Sequence, residues 1–169
     1  MAIFDLILLI ILGGFVLFGL WFGFIHTLGS LLGIIAGAFV AGHYYKGLAD
    51  WGHFIWGGGD IGYVISFIVI LIFVNRLVGL FFYFFDRAFE VISFIPFLKS
   101  INRLSGAFLG FLEGAFSIGL ILFFLARYPV NDWLTAELQA SWLAPWFIGM
   151  AKFLAPLLPE LLRQLQSVI

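Results

Sequence analysis

Four apolar stretches, each separated from the next by a short cluster of polar residues, dominate the hydropathy pattern of the chain. A bilayer core of about 30 Å is crossed by roughly 20 helical residues. Windows of that order run from about Asp5 to Phe22, Thr27 to Tyr44, Ile61 to Phe82 and Leu104 to Ala126. The first two are interrupted only by "GFIHT", residues 23 to 27, which predicts a tight helical hairpin turning at Gly23 and His26. The next interruption, "YKGLADWGHFIWGGGD" at 45 to 60, joins Lys46, Asp50 and the Gly57 to Gly59 run with Trp51 and Trp56. It predicts an aqueous loop edged by interfacial aromatics and hinged at the glycines.

Between the third and fourth windows, "DRAFEVISFIPFLKSINR" alternates charge with Phe, Val and Ile, and Pro96 opposes one continuous helix. An amphipathic segment in the membrane interface is expected there. Beyond Arg127, "YPVNDWLTAELQ" offers Asn131 or Asp132 as a helix cap and Glu137 as a charged face. The remaining tail is apolar but broken by Pro145, Pro156 and Pro159, which argues against a fifth span.

The predicted fold is an all-α integral membrane protein. It has four transmembrane helices, an interfacial amphipathic segment between spans three and four, and short amphipathic C-terminal helices. Residues 1–127 form the four-span domain, and 128–169 an amphipathic tail packing on the membrane or the bundle.

Composition strengthens this reading. The 169 residues are 64% hydrophobic, 20% aromatic and only 10% charged, so a water-soluble globule could not cover its own surface. Lipid is the expected solvent and the bilayer the first partner. The net charge of −1 points to no nucleic-acid partner, and the absence of cysteine excludes thiolate chemistry. The first apolar run has no basic residue before it and no small-residue cleavage site after it, so it is expected to persist as a span. Counting Lys and Arg near the span ends sets Lys46 and Arg127, with Lys152 and Arg163 along the tail, against Arg87, Lys99 and Arg103. The second group, packed into one short loop, favours a cytoplasmic 83–103 loop and both termini outside.

Two glycine rows stand out. Span two carries Gly29, Gly33 and Gly37, followed by Ala41, and span four carries Gly106, Gly110 and Gly114. A spacing of four lines each set along one helical ridge, and in lipid such ridges are where helices meet, within one molecule or between copies. Gly19 and Gly23 form a shorter pair.

One acid interrupts the second row. Glu113 lies nine residues beyond Leu104, about 13 Å along the helix and near the bilayer midplane, where a carboxylate must be paired, wetted or protonated. Arg76, six residues before Phe82, lies about 9 Å in from the same side, with Asn75 beside it. If spans three and four pack antiparallel, Arg76 and Glu113 meet. The pair is then an interhelical clasp that fixes register or, alternatively, a proton or ion relay; an outward-reaching arginine beside a protonated Glu113 is the third possibility.

Other chemistry is thinly represented. Asp5 begins span one, where a carboxylate suits the positive end of the helix dipole. His26, His43 and His53 have no mutual spacing that would hold a metal ion, and no phosphate-binding loop, Ser-His-Asp set or H-E-x-x-H is present. No catalytic, cofactor-binding or metal-ligating residue is expected.

These pieces together resemble the colicin V production protein family of bacterial inner-membrane proteins. The likeness begins with the acid at Asp5 and continues at "FGF", residues 22 to 24, where the family often has Arg-Gly-Phe. It is strongest at "NRLSGAFLGFLEG", residues 102 to 114, which matches the family's Asp/Asn-Arg-x-x-Gly-x-x-x-Gly-x-x-x-Gly signature through Asn102, Arg103 and the three glycines. The tail "SWLAPWFIGMAKFLAPLLP" is similar to its S-x-L-x-P stretch and terminal amphipathic segment. Two departures are present: Phe22 and His26 replace basic residues often found in the first hairpin, and Glu113 stands where Arg is frequent.

The resemblance implies a four-span inner-membrane protein linked to colicin V production or export, and more broadly to envelope homeostasis and biofilm formation. The leading expectation is a non-enzymatic accessory protein acting through helix contacts, with itself as a homo-oligomer or with other inner-membrane and secretion proteins. The alternative is a small oligomeric channel or transporter that uses Arg76 and Glu113. A membrane anchor for a protease domain is a third class, disfavoured because no such domain lies within the 169 residues.

Overall fold

The computed structural model describes residues 3–56, 59–89 and 96–157, and all regular structure among them is helical. Four long helices carry the fold: α1 (Ile3–Phe22), α2 (Phe24–Trp51), α4 (Asp60–Phe89) and α5 (Pro96–Arg127). Each contains a segment long and apolar enough to cross a membrane. The short α3 (His53–Trp56) follows α2, and α6 (Asp132–Ala140), α7 (Ala144–Ala151) and a 3₁₀ turn (Lys152–Leu157) follow α5.

The hairpin between α1 and α2 is a single residue. Gly23 adopts φ +84°, a left-handed conformation natural only to glycine, and its carbonyl oxygen accepts from the Thr27 hydroxyl at 2.7 Å. His26, expected at the turn, lies inside the first turn of α2. The N-terminus of α2 is capped from another helix: the Phe24 amide donates to Asn102 Oδ1 of α5 at 2.9 Å. Such a cap satisfies one of the donors that any helix start leaves open.

The connection at 45–60 is more helical than its composition suggests, because α2 continues to Trp51 and α3 follows at once. Of its three glycines only Gly59 is described, with φ +83°; Gly57 and Gly58 lie outside the described residues. The expected interfacial segment is largely taken up by helix ends. Residues 86–89 finish α4, and Pro96 starts α5, where its missing N–H is no loss. Residues 90–95 lie outside the described residues.

The packing order is α1, α5, α2, α4. The α2–α4 and α1–α5 pairs make the most extensive contacts, α2–α5 contacts join the two pairs, and the α4 and α5 backbones are seldom close. Spans three and four, considered from the sequence as an antiparallel pair, meet instead through long side chains: Phe67 and Phe124 stack at 3.5 Å, and Asn75 hydrogen-bonds the Glu113 carboxyl.

Missing side chains explain both main pairs. A Cβ on Gly29, Gly33 or Gly37 would strike Phe82, Asn75 or Leu71 of α4. A Cβ on Gly106 would strike the backbone of Gly19 and Gly23, and one on Gly110 or Gly114 would meet Phe15. Close backbone approach of this kind supplies the dispersion contacts that hold helices together in lipid. α5 is the most enclosed span, with 56% of its apolar window buried against 17% for α1, whose Leu6, Ile10, Leu17 and Trp21 face outward.

The tail packs on the bundle. Asn131 is the α6 cap, accepting from the Leu134 amide at 2.7 Å. α7 then lies against α5, where bare Gly119 admits the Phe147 carbonyl and the Ala151 amide. Phe147, Ile148 and Ala144 join Leu8 and Leu12 of α1 and Ala115, Ile118 and Leu122 of α5 in one core cluster. Residues 158–169, with Pro159 and Arg163, lie outside the described residues.

Candidate functional site

Because α1 and α4 stand on the two outer flanks of the packing order, a groove remains between them, floored by α2 and α5. It encloses a cavity of about 640 Å³. Its polar lining is His26 and Ser30 from α2, Asn75, Arg76 and Tyr83 from α4, and Glu113 and Ser117 from α5; from α1 it receives only Ile11, Gly14, Phe15 and Phe18.

Arg76 and Glu113 thus reach the same space although the backbones of their helices lie apart. Glu113 is 4% exposed. The Asn75 amide donates to its carboxyl, and the Arg76 guanidinium acts on it electrostatically. Glu113 Oε2 and Asn75 Oδ1 are buried without a hydrogen-bond partner. The Ser117 hydroxyl is turned back on its own helix, donating to the Glu113 carbonyl at 2.7 Å. Asn75 therefore does two things at once: its backbone packs on Gly33 and its side chain holds the acid.

The hairpin end of the groove is aromatic. His26 stacks on Phe22 at 4.7 Å and meets the edge of Tyr83 at 6.4 Å. At the opposite end, where α1 starts and α5 finishes, the Phe67 and Phe124 rings stack at 3.5 Å. Tyr45 sets its edge on Phe124 and shares a 2.9 Å hydroxyl contact with Tyr128.

The glycine rows lie away from this cavity: Gly29, Gly33 and Gly37 face α4, and Gly106, Gly110 and Gly114 face α1. Gly23 and Asn102 are brought together at the hairpin, while Arg103 is exposed nearby on α5. Asp5 stands in the first turn of α1, where the dipole reading expects it, and also reaches a second element. It is 2% exposed in the first turn of α1, and its Oδ1 accepts from the Ser141 hydroxyl at 2.5 Å and, more weakly, from the Leu143 amide at 3.4 Å. Ser141 Oγ in turn accepts from the Ala144 amide at 2.9 Å, so one carboxylate fastens the start of α7 to the start of α1. Sequence reasoning did not single out Ser30, Ser117, Tyr83 or the Asp5–Ser141 contact. The hydroxyl residues do recur at helical spacing with the acid and with His26, and that spacing was the available signal.

A family model described as colicin V production protein matches residues 4–152. The chain belongs to the colicin V production protein family. No curated protein and no solved structure matches it. In this member of the colicin V production family, several residues that carry the likeness sit at contacts between elements, while Arg103 is exposed. Asp5 meets Ser141, Gly23 meets Asn102, and the 106–110–114 row meets α1. Among the described residues there is no group of three His, Cys, Asp or Glu side chains able to hold a metal ion.

Proposed function

We propose that this chain is a non-enzymatic, multi-spanning accessory protein of the bacterial inner membrane, supporting colicin V-type toxin production or export and envelope homeostasis or biofilm formation. The family match over residues 4–152, on a chain with four membrane-length helices, carries the reading. The placement of the family-type residues supports it, since they join helices rather than surround a reacting centre. Such a protein acts by presenting lipid-embedded surfaces to a second copy or to other inner-membrane and secretion proteins. Crosslinking in native membranes, followed by identification of the captured chains, tests this. Recovery of toxin-export or envelope-maintenance proteins is expected; recovery of neither these nor a second copy contradicts it.

The groove favours a second reading, a small oligomeric channel or transporter using Arg76 and Glu113. Ion or proton flux into proteoliposomes that disappears in Glu113→Gln would favour it over the accessory role. Absence of flux, with an intact cell phenotype in that variant, excludes it. For orientation we propose both termini on the periplasmic side. Alkaline phosphatase fused after Ile169 should then be active, and a fluorescent C-terminal green fluorescent protein would contradict this.

A further inference from the structure

The polar residues that α2 and α4 give to the groove lie toward its hairpin end, and α5 adds Glu113 and Ser117 further in. Along α2 they are His26 and Ser30, after which the lining turns apolar at Ile34; along α4 they run from Tyr83 past Gly79 to Arg76 and Asn75, then end at Leu71. The lane from His26 to Ile34, or from Tyr83 to Asn75, is two helical turns, about 12 Å. It begins at the α1–α2 hairpin and ends at Glu113.

On α5 the lining continues past Glu113 to Ser117 and Ile121, about 6 and 12 Å further along the helix, and beyond them packed side chains close the space. Ile34 and Leu71 belong to a core cluster that continues through Phe67, Phe124, Ala38, Ala41 and Tyr45. Phe67 and Phe124 are fully buried, and their 3.5 Å stack leaves no room for water. Packed rings therefore close the end at the start of α1, whereas the polar lining of α2 and α4 leads toward the hairpin end, where His26, Phe22 and Tyr83 gather.

We propose that the groove is a one-ended aqueous path, a half-channel, leading from the hairpin face to Glu113, which takes up and returns a proton by that route. Lining the same cavity as Glu113 are Asn75, Arg76 and Tyr83 from α4, His26 and Ser30 from α2 and Ser117 from its own helix; α1 presents only apolar lining. Glu113 is the sole carboxylate among these lining residues. Glu113 Oε2 is buried with no donor, and a proton on the carboxylate removes the charge that this oxygen would otherwise carry without a hydrogen bond. The step is one proton passing between water and a carboxylate, without a co-reactant. It stands apart from the accessory role, since a scaffold and a partner-driven protein would both retain it.

The chain has no cysteine, so single introduced cysteines report unambiguously. Ser30→Cys is nearly isosteric, and a Cβ at Gly79 meets only Ser30 Oγ at 3.8 Å. Ser66→Cys, beside Phe67 and fully buried, reports from beyond the seal. In vesicles of defined orientation, an impermeant methanethiosulfonate should label Cys at 30 and 79 from the hairpin face alone, and Cys at 66 from neither face. Labelling of 30 and 79 from the opposite face, or by a membrane-permeant reagent alone, overturns the proposal; the latter result would mean that acyl chains fill the groove. A hydrophobic carbodiimide, located by mass spectrometry, should modify Glu113 and not Gln in Glu113→Gln. The modification should fall when pH is raised on the hairpin face and stay constant when it is raised on the other. Protection by sodium at constant pH, or absence of modification, overturns the proton assignment. Crosslinking partners do not bear on either measurement, so the accessory reading fails or stands separately.

Discussion

The Ser141 hydroxyl donates to the Asp5 carboxylate at 2.5 Å across 136 residues of sequence. This contact closes the molecule, because it fixes the start of α7 beside the start of α1 and thereby sets Phe147 over Gly119. A hydrogen bond to a charged group is worth about 1.5–3 kcal/mol, and a buried carboxylate deprived of its donor adds a desolvation penalty. Ser141→Ala should therefore destabilise the protein by about 1.5–3 kcal/mol, and limited proteolysis should cut the tail faster. In a double-mutant cycle with Asp5→Asn the two losses should be far from additive. Additive losses in detergent unfolding would remove the latch from the account.

The glycines separate into two classes that substitution should distinguish. A methyl on Gly106 would run into the Gly19 carbonyl and the Gly23 backbone, atoms that cannot turn aside. Gly13 has nothing within 4 Å of the same added atom. Gly106→Ala should cost about 1–3 kcal/mol through overpacking. Gly13→Ala should be neutral or stabilise by about 0.5–1 kcal/mol, since a helix-interior glycine gives up backbone freedom without a packing gain. Unfolding in mixed micelles measures both; equal effects would mean that the α1–α5 contact is not at Gly106.

Asn102 gives a third test. Its side chain accepts from the Phe24 amide, capping α2 from α5. Loss of such a cap costs about 1 kcal/mol, so Asn102→Ala should show it while Asn102→Asp, which keeps an acceptor, should retain most of the stability. Loss of stability by the same amount in both variants would assign Asn102 some other role.

The four spans were legible in the sequence because hydropathy over a bilayer length is a local property, and the helix bounds differ mainly where polar ends extend them. α2 runs on to Trp51 and α5 begins at Pro96, since flanking residues continue a helix already paid for in nucleation. Partner choice was not legible. A spacing of four marks a face on α2 and on α5, yet nothing in it says that one face meets Phe82, Asn75 and Leu71 while the other meets Phe15 and Gly19. Arg76, Asn75 and Glu113 do come to one cavity, as depth in the membrane suggested, but the part that α2 takes in flooring it was not readable from their spacing. Gly119 and the Asp5–Ser141 contact belong to tertiary closure of the tail, which no local pattern encodes.

The pairing of α1 with α5 and of α2 with α4 underlies the groove, its one-ended polarity and the position of Glu113. Disulfide trapping in native membranes measures it directly. A Cβ at Gly114 would lie 2.9 Å from Phe15 Cβ, and one at Gly29 against Phe82 Cβ, both closer than the roughly 3.5–4.5 Å of a disulfide, so each pair bridges after the helices ease apart by about 1 Å. The pairs Phe15→Cys with Gly114→Cys, and Gly29→Cys with Phe82→Cys, should oxidise within single chains. The exchanged pairs, Phe15→Cys with Gly29→Cys and Phe82→Cys with Gly114→Cys, should not. Bridges in the exchanged pairs, or bridges only between copies, would contradict the bundle described here.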